Sequence, residues 1–280
     1  MATLKSSKVT KRNDITVGCD PEVFFTKEGK PFPAIGLVGG NKLFPRKLDV
    51  GAVQEDNVMA EFNIPPATTE KEFSANVARM LENVRKIAEK HGCSLYISPY
   101  AEFENHYLQH PQAQNIGCDP DYSAWEMRQN NPISHETLGY IRTASGHVHV
   151  GWPTPDRNPY DRYAVIKSMD LYLGVPSVLM DSDVTRRKYY GKAGAFRPKV
   201  YGAEYRVMSN FWIKEENYRK WVFNNTVLAV NTFSNVRIFE REDKYFQHIR
   251  RCIDTGNKQL AVEIIRHFNI PMPAATNLLA

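Results

Sequence analysis

Three short segments of this chain alternate apolar residues with strongly polar ones, and each places two polar side chains two positions apart. The pairs are Asp20 and Glu22, His147 and His149, and Glu204 and Arg206. Because alternate residues of a β-strand face the same side, we predict that each pair projects from one surface of a sheet. A fourth strand-like segment, residues 59–63, places Glu61 between apolar neighbours. These segments together predict a polar face shared by several strands.

Helices lie between the strand-like segments without a repeating β-α-β order. The clearest helix follows Thr69, where Glu72 completes a capping box and apolar residues then recur at helical spacing as far as His91. Further helices are predicted over residues 158–180, 214–235 and 257–268, and strands over 14–26, 58–64, 93–98, 146–152 and 199–209. This irregular order predicts an α+β fold on a mainly antiparallel sheet.

The chain is predicted to consist of an arm followed by one domain. Residues 1–13 are basic and non-periodic, which is typical of a flexible arm. No break in composition divides residues 14–280, so they are predicted to form a single domain. The net charge of +5 suits a phosphorylated cofactor. An arm that binds nucleic acid is the less favoured interpretation.

The four cysteines are widely spaced and form no CxxC pair, which predicts reduced thiols in a cytoplasmic protein. No apolar run approaches the roughly 18 residues that a membrane span requires. No signal-peptide core follows Met1. We therefore expect no membrane partner.

The polar face predicts a metal site, because carboxylates with one or two imidazoles are ligands that suit Mg²⁺ or Mn²⁺. Gathered carboxylates repel one another unless cations offset their charge. With Arg206 nearby, such a site is suited to the phosphates of a nucleotide. The spacing of His147 and His149 also fits a zinc site, so a zinc hydrolase remains an alternative.

Residues 186–197 are unusually basic and rich in glycine. No Walker A pattern is present, and the glycines of residues 36–40 do not open a helix as a dinucleotide-binding turn would. Arginine and lysine among glycines can nevertheless reach phosphate oxygens. We predict that this stretch contacts phosphate.

Several short blocks, taken in order, resemble the type-2 carboxylate–amine ligases (amidoligases) of tailed bacteriophages, in the superfamily of glutamine synthetase and gamma-glutamylcysteine synthetase. The blocks are Gly-Cys-Asp-Pro-Glu-Val-Phe-Phe from residue 18, Gly-Gly-Asn-Lys from 39, Gln-Glu-Asp-Asn-Val-Met-Ala-Glu-Phe-Asn from 54, Ser-Gly-His-Val-His-Val-Gly from 145, Arg-Arg from 186 and Tyr-Gly-Ala-Glu-Tyr-Arg from 201. The resemblance implies a curved antiparallel sheet lining the active site with helices outside.

The resemblance also implies the ligands of two divalent ions. Glu22 and Glu61 would hold one ion, and Asp20, His147 and Glu204 would hold the second near the phosphates of ATP. Asp56 lies near the place of a further acidic ligand.

The remaining implied residues contact ATP and the transferring phosphoryl group. Arg206, Arg197 and Arg187 are the predicted catalytic arginines. Lys192 and His149 join Arg197 and Arg206 as predicted nucleotide contacts.

The implied reaction depends on ATP and on Mg²⁺ or Mn²⁺. A carboxylate attacks the γ-phosphate to give an acyl phosphate, and an amine then displaces phosphate. Glu55, or a carboxylate within residues 102–121, is the candidate for accepting the proton of the amine.

Alternatives remain open at this stage. A guanidino-type phosphotransferase of the same superfamily would phosphorylate its acceptor without forming an amide, and a nucleic-acid-binding module would use the arm. The carboxylate and amine, whether small molecules or peptides, and the oligomeric state are not identified by the sequence. Residues 102–140, which are irregular, polar and aromatic, are predicted to determine specificity.

Overall fold

A computed structural model of the protein describes residues 14–115, 121–131, 135–153, 158–181, 183–239 and 243–273. The basic arm predicted over residues 1–13 lies outside these ranges.

The described strands are β1 (Thr16–Cys19), β2 (Glu22–Lys27), β3 (Lys30–Phe32), β4 (Arg46–Lys47), β5 (Ala52–Asp56), β6 (Met59–Asn63), β7 (Ser94–Tyr96), β8 (Tyr100–Glu102), β9 (Tyr122–Ser123), β10 (Arg128–Gln129), β11 (Ile141–Thr143), β12 (Val148–Gly151), β13 (Ala195–Lys199) and β14 (Gly202–Tyr205). The described helices are α1 (Glu70–Lys90), α2 (Asn105–Leu108), α3 (Pro111–Gln114), α4 (His135–Leu138), α5 (Pro159–Met169), α6 (Val175–Met180), α7 (Arg186–Tyr189), α8 (Glu216–Phe239), α9 (Asp243–Thr255) and α10 (Lys258–Phe268).

The strands form two larger sheets and one small one. The main sheet has the order β1-β12-β14-β13-β9-β10, and the second sheet has the order β3-β2-β6-β5-β4, with β7 also paired to β2. Strands β8 and β11 form a separate pair. Every strand pair within the described residues is antiparallel. The predicted α+β class with antiparallel sheets is therefore confirmed.

The chain passes from the main sheet to the second sheet at Asp20 and Pro21. Strand β1 ends at Cys19 and pairs with β12, whereas β2 begins at Glu22 and pairs with β6. The prediction that Asp20 and Glu22 share one strand is therefore wrong. Proline has no backbone N–H to donate to a ladder, which is consistent with a strand ending at this dipeptide.

Helix α1 has the ends and the buried face that its sequence predicts. The hydroxyl of Thr69 accepts a hydrogen bond from the backbone N–H of Glu72, and the Glu72 carboxylate accepts one from the N–H of Thr68. Its buried residues are Phe73, Ser74, Val77, Met80, Val84, Ile87 and Ala88. The Phe73 ring stacks on Trp212 and contacts Phe223 of α8, so α1 packs on α8 over a continuous core.

The helix predicted over residues 158–180 is present, but it contains a π-helical segment at Asp170–Gly174 between α5 and α6. Other elements also differ from prediction. The strand predicted over residues 199–209 covers the last residue of β13, the turn and β14, whereas residues 206–209 follow β14, and helix α9 was not predicted.

The described cysteines, Cys19, Cys93 and Cys252, are free and buried. Within the described ranges, no helix is both long and apolar enough to cross a membrane.

Candidate active site

A row of polar residues crosses the main sheet. His149 of β12 lies opposite Glu204 of β14, and Glu204 lies opposite Arg197 of β13. Residues directly opposite on neighbouring antiparallel strands project from the same face. Strand pairing therefore brings an imidazole, a carboxylate and a guanidinium together from positions far apart in the sequence.

Glu204 is fully buried at the centre of this row and is surrounded by cations. Its carboxylate lies 2.8 Å from Lys199 Nζ and 3.2 Å from Arg197 Nη1, and it accepts a hydrogen bond from Arg206 Nη1. Burial and the charge of Asp20 would raise the pKa of Glu204, but Arg206 and the two histidines outweigh them and lower it to about 2. Glu204 is therefore ionised at neutral pH.

Asp20 lies between the two imidazoles. His147 Nδ1 is 3.4 Å from Asp20 Oδ1 and 3.6 Å from Glu204 Oε1, while His149 Nε2 is 3.0 Å from Asp20 Oδ2. The other ring nitrogen of His149 shares a hydrogen bond with the hydroxyl of Tyr201. Burial and Arg206 lower the pKa of His147 to about 4, so this imidazole is neutral and can act as a ligand.

The Asp20 cluster fits a divalent cation. Among the described residues, the buried Nε2 of His147 has no hydrogen-bond partner, although buried polar atoms are nearly always satisfied. Asp20, His149 and Glu204 each offer a ligand atom, and these atoms lie within 4.8 Å of one another. The family resemblance assigned the role of metal ligand to His147. The three residues whose ligand atoms lie within 4.8 Å of one another include His149 instead.

A second acidic group lies on the second sheet. Glu22 of β2 is paired in register with Glu61 of β6, and Asp56 is the last residue of β5. Burial and Asp56 raise the pKa of Glu22 to about 8. Burial and three carboxylates, Asp20 foremost, raise the pKa of Glu61 well above its ordinary value. A cation among these oxygens would offset their repulsion, so the group also fits a divalent ion.

Hydrogen bonds hold the two glutamates of this group in place. The backbone N–H of Ser145 donates to Glu22 Oε2 at 2.6 Å, and Gln54 Nε2 donates to Glu61 Oε2 at 2.7 Å. Asn210 Nδ2 donates to the backbone carbonyl of Glu22. The predicted metal residues therefore come together as two adjoining groups, with Asp20 and Glu22 on different sheets.

Arg206 connects the metal groups to a large cavity. Its Nη2 donates to the hydroxyl of Tyr190, whose ring also lies under the guanidinium, and its Nε is 3.8 Å from Asp121 Oδ2. Arg206 itself is 3% exposed and lines the cavity together with Glu22 and Asp56. The guanidinium therefore lies between Glu204 and the space where a substrate would bind.

The cavity has a volume of about 590 Å³, which is the size of a small-molecule site. Residues 121–131, 138–145, 189–195 and Asp254 contribute to its walls. The wall thus includes part of the segment 102–140 that was predicted to determine specificity. Lys192, a predicted nucleotide contact, is exposed and lines this cavity.

Arg187 is not brought into the cluster. It is 4% exposed, donates to the backbone carbonyl of Ile253 and to Ser177 Oγ, and lies 3.8 Å from Asp181. These contacts join α7 to α6 and α9. Its predicted catalytic role has no support from this geometry.

Sequence reasoning missed Lys199 and Tyr190, and it included Asp121 only as one of the carboxylates within residues 102–121. Lys199 could have been found, because it stands two positions after Arg197 in β13 and so faces the same side. Asp121 and Tyr190 carry no such local signal, since only the tertiary fold brings them to Arg206.

The family comparison covers slightly less than half of the chain, in its C-terminal part. Residues 137–272 match the sequence model of the family described as "Phage phiEco32-like COOH.NH2 ligase-type 2". This range includes His147, His149, Arg197, Glu204 and Arg206, whereas the acidic residues of β2, β5 and β6 precede it.

Among solved structures, the chain is similar to one described as "Apo GmaS without ligand". The two are 11% identical with a TM-score of 0.41, and the alignment covers 95% of this chain and 73% of the other. No curated protein sequence matches the chain. On the family match, residues 137–272 carry the sequence signature of the phage phiEco32-like carboxylate–amine ligases of type 2, and the resemblance drawn from the sequence is confirmed.

Proposed function

We propose that this protein is an ATP- and Mg²⁺-dependent ligase that joins a carboxylate to an amine through an acyl phosphate. One observation carries the proposal. Two adjoining groups of buried and partly buried carboxylates and imidazoles lie beside Arg206 at the edge of a cavity, and Asp20, His149 and Glu204 offer ligand atoms within 4.8 Å of one another. Residues 14–280 are taken as one ligase domain that acts on small-molecule or peptide substrates.

Glu22 and Glu61 would hold one divalent ion, and Asp20, Glu204 and the histidines would hold the other. When bound, such ions offset the charge of phosphate oxygens during transfer. Mn²⁺ would suit the same oxygen and imidazole ligands.

The side of the cluster that carries Lys199, Arg197 and His149 is the proposed place for the phosphates of ATP. Lys199 and Arg197 already lie within 3.2 Å of the Glu204 carboxylate, so they are held close to the metal ligands. Arg206 faces both this region and the cavity. It would contact the γ-phosphoryl group as the substrate carboxylate attacks and ADP leaves.

Asp121 is the proposed general base for the second step, in which the amine attacks the acyl carbonyl and phosphate leaves. Its carboxylate lines the cavity and lies beside Arg206. Glu55, the other candidate, accepts hydrogen bonds from the backbone N–H groups of Gly36 and Gly39 and from Gln112. Glu55 therefore holds a loop, and Asp121 is the better placed to take the proton.

The proposal is tested by incubating the protein with ATP, Mg²⁺, hydroxylamine and a panel of carboxylic acids. ADP, phosphate and a hydroxamate should form together, because hydroxylamine traps an acyl phosphate. A Glu204→Gln variant should form none of them. Absence of ADP release with every acid, together with absence of Mg²⁺-dependent nucleotide binding, would count decisively against a ligase.

The same assay separates the alternative enzymes. A phosphotransferase would release ADP and accumulate a phosphorylated acceptor without releasing phosphate. A zinc hydrolase would contain stoichiometric zinc on His147 and His149 and would not bind ATP.

A further inference from the structure

The side chain of Tyr190 supports one side of the Arg206 guanidinium. Arg206 Nη2 donates a hydrogen bond to the Tyr190 hydroxyl, and Arg206 Cζ lies over the Tyr190 ring, 5.5 Å from its centroid. Tyr190 also lines the cavity. The residue therefore contacts Arg206 through both its hydroxyl and its ring, at the place where the guanidinium meets the space for a substrate.

Tyr190 is itself held firmly by its neighbours. Its backbone N–H donates to the carbonyl of Arg186 at 2.7 Å, and Arg186 Cζ lies over its ring at 5.1 Å. Arg186 is fully buried and donates to the carbonyl of Val207 at 2.8 Å. Gly191 follows with a φ of +74°, and a Cβ there would collide with the Arg186 guanidinium and the Val207 carbonyl. The backbone after Tyr190 is therefore packed closely against the segment that carries Arg206.

Two other partners of Arg206 are carboxylates. Arg206 Nη1 donates to Glu204, and its Nε lies 3.8 Å from Asp121 Oδ2. A carboxylate offsets the charge of a guanidinium, whereas a phenol hydroxyl can accept a hydrogen bond without carrying a charge. The contact with Tyr190 therefore fixes the guanidinium and leaves its charge available to a transferring phosphoryl group.

The contact with Tyr190 should also persist through both steps of the proposed reaction. When Asp121 takes the proton of the amine, its carboxylate becomes neutral and attracts Arg206 less strongly. The hydroxyl of Tyr190 has no part in that proton transfer. Its hydrogen bond to Arg206 is therefore kept while the charge of Asp121 changes.

We propose that Tyr190 is a positioning residue, which holds the Arg206 guanidinium in the orientation that phosphoryl transfer requires. The inference rests on the proposed ligase function. Charge stabilises a transition state most effectively when the charged group is already oriented before the reaction. The hydroxyl of Tyr190 should therefore contribute to turnover more than to the binding of ATP.

The first test removes the hydroxyl and keeps the ring. Tyr190→Phe should lower kcat for ADP release by about tenfold to 100-fold, the usual effect of losing one hydrogen bond to a charged group. KM for ATP should stay unchanged, a separation that a general loss of stability would not produce. A folded Tyr190→Phe protein with the wild-type kcat would overturn the inference and leave the ligase function intact.

Tyr205→Phe is the matched control, because it removes the hydroxyl of a second buried tyrosine. The hydroxyl of Tyr205 donates to Asp170 and does not contact Arg206. This variant should lower the melting temperature and leave kcat unchanged. An equal loss of kcat in Tyr205→Phe and Tyr190→Phe would show that the effect of Tyr190 is only structural, which would also overturn the inference.

The rotation of the guanidinium tests the same contact without any reaction. Nitrogen-15 NMR measures how fast Nη1 and Nη2 of an arginine exchange by rotation about the Nε–Cζ bond, and the Arg206 signal is identified by its loss in Arg206→Lys. Rotation should be about tenfold or more faster in Tyr190→Phe than in wild type, and unchanged in Tyr205→Phe.

This measurement separates the inference from the ligase function. If no acid supports ADP release, the ligase function fails, and the rotation rate alone decides whether Tyr190 positions Arg206. Equal rates in wild type and Tyr190→Phe would overturn the inference whatever the activity.

Discussion

The buried carboxyl group of Asp170 should make the stability of this protein depend on pH in a direction opposite to that of most acids. Asp170 begins the π-helical segment and is fully buried. Trp125 Nε1 donates to its Oδ2 at 2.6 Å, and the hydroxyl of Tyr205 donates to its Oδ1 at 2.8 Å. Burial, with a smaller contribution from Asp254, raises the pKa of Asp170 from 3.8 to about 7.

The size and sign of the effect follow from linkage. A rise of the pKa from 3.8 to about 7 corresponds to roughly 4 kcal/mol. Because the pKa is raised in the folded state, the stabilising contribution is complete below the unfolded pKa. It is lost progressively as the pH rises through the folded pKa, when the buried group must ionise.

The test compares wild type with Asp170→Asn by urea denaturation from about pH 4 to about pH 8. The asparagine can still accept from Trp125 and can donate to the hydroxyl of Tyr205, so the packing is largely kept. The free energy of unfolding of the variant, minus that of wild type, should increase with pH by up to about 4 kcal/mol. A difference that stays constant across this range would refute the reasoning.

An exposed acid provides the control with the opposite sign. Hydrogen bonds from Arg79 and Asn83 lower the pKa of Asp49, so its small contribution to stability is lost as the pH falls. The free energy of unfolding of Asp49→Asn, minus that of wild type, should therefore change only weakly with pH, and it should decrease as the pH rises.

Three further predictions concern the site. Glu204→Gln should abolish the Mg²⁺-dependent rise in melting temperature measured with an ATP analogue, while Glu216→Gln, which removes an exposed carboxylate of α8, should leave that rise unchanged. Asp121→Asn should lower turnover with an alkylamine about 100-fold, yet preserve turnover with hydroxylamine, which is already unprotonated at neutral pH; equal losses with both nucleophiles would contradict the role of a base. Arg197→Gln should raise KM for ATP at least about tenfold. Arg187→Gln should instead lower the free energy of unfolding in urea by about 3–5 kcal/mol, because it breaks buried ion pairs. A raised KM for ATP in a stable Arg187→Gln protein would show that Arg187 belongs to the active site.

Local patterns in the sequence predicted the elements whose signals are local. The capping residues and apolar spacing after Thr69 define α1, because a cap and a 3.6-residue period act within the helix itself. The alternation around His149 and Glu204 likewise identified strands that carry polar side chains. These residues were recognised as site residues because their immediate neighbours are apolar.

Other parts of the site depend on strand pairing and could not be predicted in this way. Asp20 and Glu22 would face the same side if they lay in one strand. The chain changes strand partners at Pro21, however, so Asp20 follows β1 of the main sheet and Glu22 begins β2 of the second sheet. Arg187 and Arg197 stand in the same basic stretch, yet Arg187 lies in a short helix that turns it towards Asp181, whereas Arg197 lies in a strand opposite Glu204. Sequence proximity could not distinguish them.

The unequal charges of the two metal groups indicate the order in which they would bind ions. Glu204 is already balanced by Lys199, Arg197 and Arg206, and a lone Mg²⁺ near these cations would be repelled. Glu22 and Glu61 instead lie opposite each other on neighbouring strands, and burial together with neighbouring carboxylates raises their pKa values.

The unbalanced acidic group should therefore bind a divalent ion first, without nucleotide. The Asp20 group should bind its ion only together with ATP, whose phosphates bring the negative charge that neutralises the surrounding cations. Titration with Mn²⁺, followed by electron paramagnetic resonance, should give one bound ion alone and a second when a non-hydrolysable ATP analogue is present. Two ions bound equally well in the absence of nucleotide would contradict this division, because the surrounding cations would then have no effect on the Asp20 group.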